Sequence, residues 1–208
     1  MKQMMIIFAI SLILISCKNE DLITNQTTLN ETVTDYYPMS IGSYWVYKVY
    51  EADTSLVFSD AGLLDSIVVT KDSLVNGYSY KVFKSSIFGV SLYRDSSEMI
   101  VNNDGEKLLS LNKKLTFIEN RYVLPNDTMY YLTSVLSKTD STFSVLAGTF
   151  NSKYIIGTIK YMEENPPYMK QRNYKTAYAK NVGLVYKRLF YLFGPNYLEY
   201  KLLRYQIK

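Results

Sequence analysis

Few groups in this 208-residue chain could do covalent or acid–base chemistry. It has no histidine, which removes Ser-His-Asp and Cys-His catalysis and His-ligated zinc or haem. Its one cysteine, Cys17, excludes an intrachain disulfide, a CxxC redox pair and a cysteine metal cluster. Ser110-Leu111-Asn112-Lys113 matches S-x-x-K, but the S-D-N and K-T-G segments that this chemistry needs beside it are missing. Glu163 and Glu164 are adjacent, so on a strand they point to opposite faces and cannot flank one glycosidic bond. Asn102-Asn103-Asp104-Gly105 has the letters of a calcium loop without the remaining ligands, and reads as a turn. The expectation is a chain that is not an enzyme, with no metal and no cofactor.

Charge is distributed unevenly. Residues 17–152 carry 11 basic and 16 acidic side chains, and residues 153–208 carry 11 basic and only 3 acidic ones. The basic third also holds ten tyrosines. Interleaved cations and aromatics can bind polyanions or cover acyl chains. The densest spot falls beside Pro166-Pro167, where Tyr168, Lys170, Arg172, Tyr174 and Lys175 form a candidate binding set for an anionic glycan or lipid. The competing reading is a solvated sheet face offset by the acidic N-terminal strands.

The N-terminus reads as an address. Met1-Lys2 precedes an apolar run from Met4 to Ile15, too short for a bilayer span of about 20 residues and of signal-peptide length. Leu14-Ile15-Ser16-Cys17 resembles the lipobox of bacterial lipoproteins, which implies cleavage before Cys17 and acylation of its sulfur. Two or three acyl chains anchor stably where one does not. Lys18 follows the cysteine; an Asp there would resemble an inner-membrane retention signal, so the resemblance implies an outer-membrane lipid anchor, periplasmic or surface-exposed. Outside the cytoplasm nucleic acid is not the expected ligand. The expected organisation is a signal peptide over 1–16, a flexible polar tether over 17–36, and one β domain over 37–208.

Positioning of any site falls to strands. Trp45–Tyr50, Ile67–Thr70, Asp72–Val75 and Tyr78–Phe83 are rich in β-branched and aromatic residues. Asn76-Gly77 between the last two is a strong hairpin signal, because both turn positions need φ > 0. Asn103-Asp104-Gly105 separates two further runs, and later strands are expected at Met129–Leu136, Thr142–Leu146, Phe150–Tyr161, Tyr174–Ala179, Leu184–Phe193 and Tyr197–Ile207. No segment after residue 17 shows a sustained 3.6-residue period. The expected fold is all-β: a strongly curved antiparallel meander forming a half-barrel, barrel or sandwich. Tyr44-Trp45-Val46-Tyr47 is apolar on both faces, which fits a curved or two-layer sheet better than a flat one.

Tyr37-Pro38-Met39-Ser40-Ile41-Gly42-Ser43-Tyr44-Trp45-Val46-Tyr47 resembles the Y-x-P-L-x-x-G-N-x-W-x-Y opening of a group of Bacteroidota secreted proteins and lipoproteins. Asp72 to Tyr80 resembles that group's D-T-x-x-N-G-x-x-Y hairpin, Ala147-Gly148-Thr149-Phe150 its A-G-T-F step, and Tyr178 to Val185 its Y-A-x-G-V-G-L-V close. Ser43 stands where Asn is usual, and Asn181 where Gly is usual. The resemblance implies a curved antiparallel sheet related to periplasmic lipoprotein-carrier folds, and no activity.

Three functional readings follow. The first is a lipid-anchored, non-catalytic β-domain that binds a glycan, a lipid or a partner protein; it needs only an exposed aromatic or basic patch. The second is a lipid or lipoprotein carrier or acceptor, which needs an apolar groove of several hundred Å³. The third is a His-free hydrolase, which needs polar groups converging in a cleft.

Overall fold

The computed structural model describes residues 31–112, 116–124, 127–137, 139–161, 171–191 and 194–208. Cys17, Tyr168 and Lys170 lie outside them, as does the Pro166-Pro167 segment. The unit Glu31–Lys208 opens with α1 (Val33–Tyr36) and continues as β1 (Tyr44–Ala52), β2 (Ser59–Val75), β3 (Tyr78–Ser85), β4 (Gly89–Asp95), β5 (Met99–Asn102), β6 (Lys107–Ser110), β7 (Thr116–Leu124), β8 (Asp127–Leu136), β9 (Ser141–Val145), β10 (Gly148–Tyr161), β11 (Gln171–Ala179), β12 (Gly183–Phe190) and β13 (Tyr197–Gln206).

All these strands belong to one sheet in the order β6-β5-β4-β3-β2-β1-β13-β12-β11-β10-β8-β7, with β9 paired to β10 beside β8. Every pairing among the described residues is antiparallel. First and last strands meet in the middle, Tyr44 opposite Gln206 and Ala52 opposite Tyr197, and a wing extends from each. Laid flat, twelve strands at about 4.8 Å spacing would put β6 and β7 about 53 Å apart. Yet the chain passes from Ser110 to Thr116 in six residue steps, which reach at most about 21 Å. The sheet must therefore curl, and it forms an all-β, antiparallel half-barrel. Bulges at Val46/Tyr47, Val49/Tyr50, Val69/Lys71 and Ala177/Tyr178 add the local twist that curling requires.

The Asn76-Gly77 hairpin forms as expected, with φ values of 50° and 80°. At the second hairpin Asn102 Oδ1 accepts from the backbone N–H of Asp104 and Glu106, at 3.0 and 2.8 Å. Asn181 takes a positive φ of 59°, so Asn serves where Gly is usual. The next residue but one does require glycine: a Cβ on Gly183 would press on Pro38 and on the Trp45 indole nitrogen, each 3.2 Å away.

The two wings pack across the concave side. Trp45, Tyr47 and Val49 alternate inward from β1 and meet Val69 and Phe83 of one wing and Val182, Val185 and Leu202 of the other. Each such fully buried aliphatic side chain contributes about 1.5–3 kcal/mol. The Trp45 indole N–H donates to the Val182 carbonyl at 2.6 Å, and the Tyr47 hydroxyl to the Leu184 carbonyl at 2.9 Å. Trp45 is thus a core residue. On the convex side β9 folds back over β12 and β13, with the Phe143 ring 5.4 Å from that of Tyr186, so this stretch of sheet is covered on both faces.

One boundary needs correction. The tether expected over 17–36 does not reach Tyr36: Val33 and Tyr36 are buried against Ile100, Leu109, Leu136, Ile155 and Tyr178, which come from both wings. The Asp35 carbonyl accepts the N–H of Asn181 at 2.6 Å, tying α1 to the turn before β12. A four-residue helix presents one i, i+3 pair and is too short for its period to stand out in the sequence.

Candidate ligand groove

Between the wings the concave side leaves a groove of about 250 Å³. One wall is Ile67, Phe83, Ser85, Ser91, Tyr93 and Leu108; the other is Thr176, Tyr178, Leu184, Lys187 and Leu189. Tyr37 closes its floor with Phe83, Tyr93 and Tyr178, at ring separations of 5.5, 5.7 and 6.0 Å. The β3–β4 turn carries Phe88 over the groove, 6.1 Å from the Tyr200 ring, with 59% of its surface exposed. A smaller space of about 40 Å³ adjoins it beneath Tyr37, Pro38 and Trp45.

Strand alternation explains the lining. Val185, Lys187 and Leu189 fall on one face of β12: Val185 is fully buried and the other two line the groove. Lys187 stands opposite Thr176 of β11 and Tyr200 of β13, with its ammonium 6.0 Å from the Phe88 ring. Among the described residues it has no ion-pair partner. Burial pushes its pKa below the ordinary lysine value, while the Asp65 carboxylate pulls the other way. Asp65, 1% exposed, is already occupied by the Ser85 and Ser86 hydroxyls at 2.7 and 3.2 Å and the Ile87 N–H at 3.4 Å. Burial raises the tyrosines around the groove, Tyr37, Tyr47 and Tyr178 well above their usual value and Tyr200 to about 12, so they are neutral hydroxyls at physiological pH. The groove is an apolar, aromatic slot with a few hydroxyls and one unpaired cation.

Of the sequence-predicted set, the three described members, Arg172, Tyr174 and Lys175, do not share one exposed surface. On β11 the parity of Arg172 and Tyr174 differs from that of Lys175, which places Lys175 on the convex face, its ammonium 4.7 Å from the Phe143 ring and 4.3 Å from the Tyr154 ring. Arg172 is 3% exposed. Its guanidinium donates to the carbonyls of Tyr191 at 2.9 Å, Pro195 and Asn196 at 2.8 Å each, and Gly194. Both terminal nitrogens of the guanidinium are spent on the β12–β13 turn and the side chain is buried, so Arg172 is no part of an exposed basic surface. Tyr174 hydrogen-bonds Ser134 of β8 and fills the space above Gly157. Cross-strand parity, which the linear spacing of 170–175 conceals, is the physical reason for the dispersal.

Lys187 escaped the sequence reading because it is one of eleven basic residues in the last third. Its signal is positional: it takes the middle place in the alternation Val185, Lys187, Leu189, where apolar residues stand on either side.

A scan of family models and a search of curated proteins each find no match to this chain. Among solved structures it is similar to a candidate lipoprotein from Parabacteroides distasonis (12% identity, 81% of this chain and 97% of that one, TM-score 0.44). It is also similar to a candidate exported protein with a YmcC-like fold from Bacteroides fragilis (12% identity, the same coverages, TM-score 0.43).

Proposed function

We propose that this chain is a lipid-anchored, non-catalytic β-domain of the outer membrane, facing the periplasm or the cell surface, that takes the apolar part of a small ligand into its groove. The observation that carries the reading is the groove itself. Its aromatic and aliphatic walls lie between two wings held apart by their own packing, so the space does not depend on a ligand to form. An enclosed apolar cavity of about 150 Å³ takes one benzene, so about 250 Å³ suits a single ring or a single chain. It is small for the two or three acyl chains of a lipoprotein, which favours a small-molecule binder over a lipoprotein carrier. The closely packed aromatic and aliphatic faces of Phe83, Tyr93, Leu108, Leu184 and Leu189 favour a lipid chain over a glycan. The anchor rests on the lipobox-like Leu14-Ile15-Ser16-Cys17.

Native mass spectrometry of the processed chain carrying Cys17→Ser tests the groove. One apolar molecule per chain should be retained after incubation with a membrane lipid extract, and Ser91→Trp, which fills the groove from one wall, should abolish retention. An empty spectrum for both proteins overturns the reading. Separately, Cys17→Ala should lose labelling by a fatty-acid analogue and leave the membrane pellet; a labelled Cys17→Ala chain overturns the anchor.

A further inference from the structure

We infer that the groove is selective for a single-chain amphiphile with a carboxylate head, held at Lys187 with its chain running toward Tyr93 and Leu108; this rests on the groove reading above and names its ligand class. The first argument is charge. An ammonium beside an apolar slot is costly unless it is paired, and the carboxylates of the neighbourhood are engaged elsewhere. Asp65 has three donors. Arg188 and Lys201 share Glu199 on the opposite face of the sheet, at 2.6 and 3.0 Å. Among the described residues Lys187 forms no ion pair, and only the field of Asp65 favours its charge, so a ligand carboxylate would give it a direct partner.

Placement is the second argument. Thr176 lies directly across from Lys187 on the neighbouring strand, and Ser91 reaches the groove from the opposite wall; the Ser85 hydroxyl beside it is already donated to Asp65. A carboxylate has two acceptor oxygens and can be shared between an ammonium and nearby hydroxyls. Phe88, near the ammonium and largely exposed, sits where the first carbons of a chain would pass. From there the surface turns aromatic and aliphatic toward Phe83, Tyr93 and Leu108, with no further cation among the described lining residues to hold a second charged group.

Size is the third. The two chains of a diacyl phospholipid far exceed what a space of about 250 Å³ can enclose by the benzene comparison, whereas one saturated chain of medium length suits it. Hydrophobic burial supplies the affinity in proportion to chain length, and the ion pair supplies the choice of head group, since an alcohol or ester of the same chain leaves the ammonium unpaired.

The test titrates dodecanoate and dodecanol into the processed chain carrying Cys17→Ser, and into its Lys187→Met and Lys187→Arg variants, by isothermal calorimetry. The parent should bind dodecanoate at least tenfold more tightly than dodecanol. Lys187→Met should bring the two within twofold of each other, chiefly by weakening dodecanoate, and Lys187→Arg should keep the preference. If the parent binds both equally, the head-group inference fails while the groove reading stands. If it binds neither, both fail. Preference retained in Lys187→Met assigns the carboxylate to another group and overturns the inference.

Discussion

The ring of Tyr174 on β11 occupies the position that a Cβ on Gly157 of β10 would take, the two residues being direct partners in the antiparallel register. Gly157 has no positive φ to require it; it is glycine because a neighbour lies on its backbone. Over that backbone the tyrosine reaches β8, where its hydroxyl and that of Ser134 share a hydrogen bond. Gly157→Ala should therefore cost about 2–3 kcal/mol by forced displacement of the ring. Adding Tyr174→Ala should recover part of that loss, because the clash disappears with the ring. Urea midpoints of the two single variants and the double variant check this; strictly additive losses would mean the ring moves aside freely.

Arg172 offers a sharper contrast between a binding and a structural role. Four carbonyls of the β12–β13 turn converge on its guanidinium, while Tyr197 and Phe190 flank it at 4.3 and 4.9 Å. A lysine cannot present two forked nitrogens to four acceptors or stack between rings. Arg172→Lys should lower stability by about 2 kcal/mol and leave retention on heparin at low salt unchanged. An unchanged urea midpoint with weaker heparin retention would restore it to the binding surface.

These two residues also show what the sequence makes legible. Strands rich in Val, Ile, Tyr and Trp, and turns with Asn-Gly or Asn-Asp-Gly, declare themselves locally, and β1, β3 and most of the later strands lie where those signals place them. The start of β2 does not: Ser59, Asp60, Gly62 and Asp65 are poor strand formers and are held there by pairing to β1. β4 is similar, a short mixed run recruited by β3. The site depends on parity across strands and on how far the sheet curls, and neither is a local property. Arg172 and Lys175, near neighbours in the sequence, were thus split between two faces, while an isolated lysine became the one cation of the groove among the described residues.

Glu199 should govern acid sensitivity. It is 3% exposed. Burial pushes its carboxyl up, but hydrogen bonds from Tyr186, Arg188 and Lys201 outweigh this and hold it below the ordinary value of 4.5. A carboxyl depressed on folding contributes stability that is complete above its unfolded pKa and is lost as pH falls through its folded one. Glu199→Gln should cost about 3 kcal/mol at pH 7, where Arg188 is left without its anion. The difference from wild type should shrink steadily below pH 4.5. A pH-independent difference would mean that packing, and not charge, sets the loss.

Lys187 reverses that sign. Its pKa is lowered on folding by burial, with only Asp65 opposing. A lysine depressed in this way lowers stability wherever it is charged in both states. The penalty is relieved as pH rises from the folded value toward the ordinary 10.5, because the unfolded chain then holds more protons than the folded one. Tyr178 and Tyr200, which face the same interior, act in the other direction at high pH, since they ionise more readily once unfolded. The difference between Lys187→Met and wild type cancels their contribution and isolates the lysine. That difference should favour Lys187→Met by about 1 kcal/mol at pH 7 and narrow as pH rises toward the ordinary lysine value. A side chain that weakens the fold while facing an open groove is the pattern expected of a binding group, where function is kept at a cost in stability. If Lys187→Met is instead less stable at pH 7, the lysine is a structural member of the core and its claim on a ligand lapses.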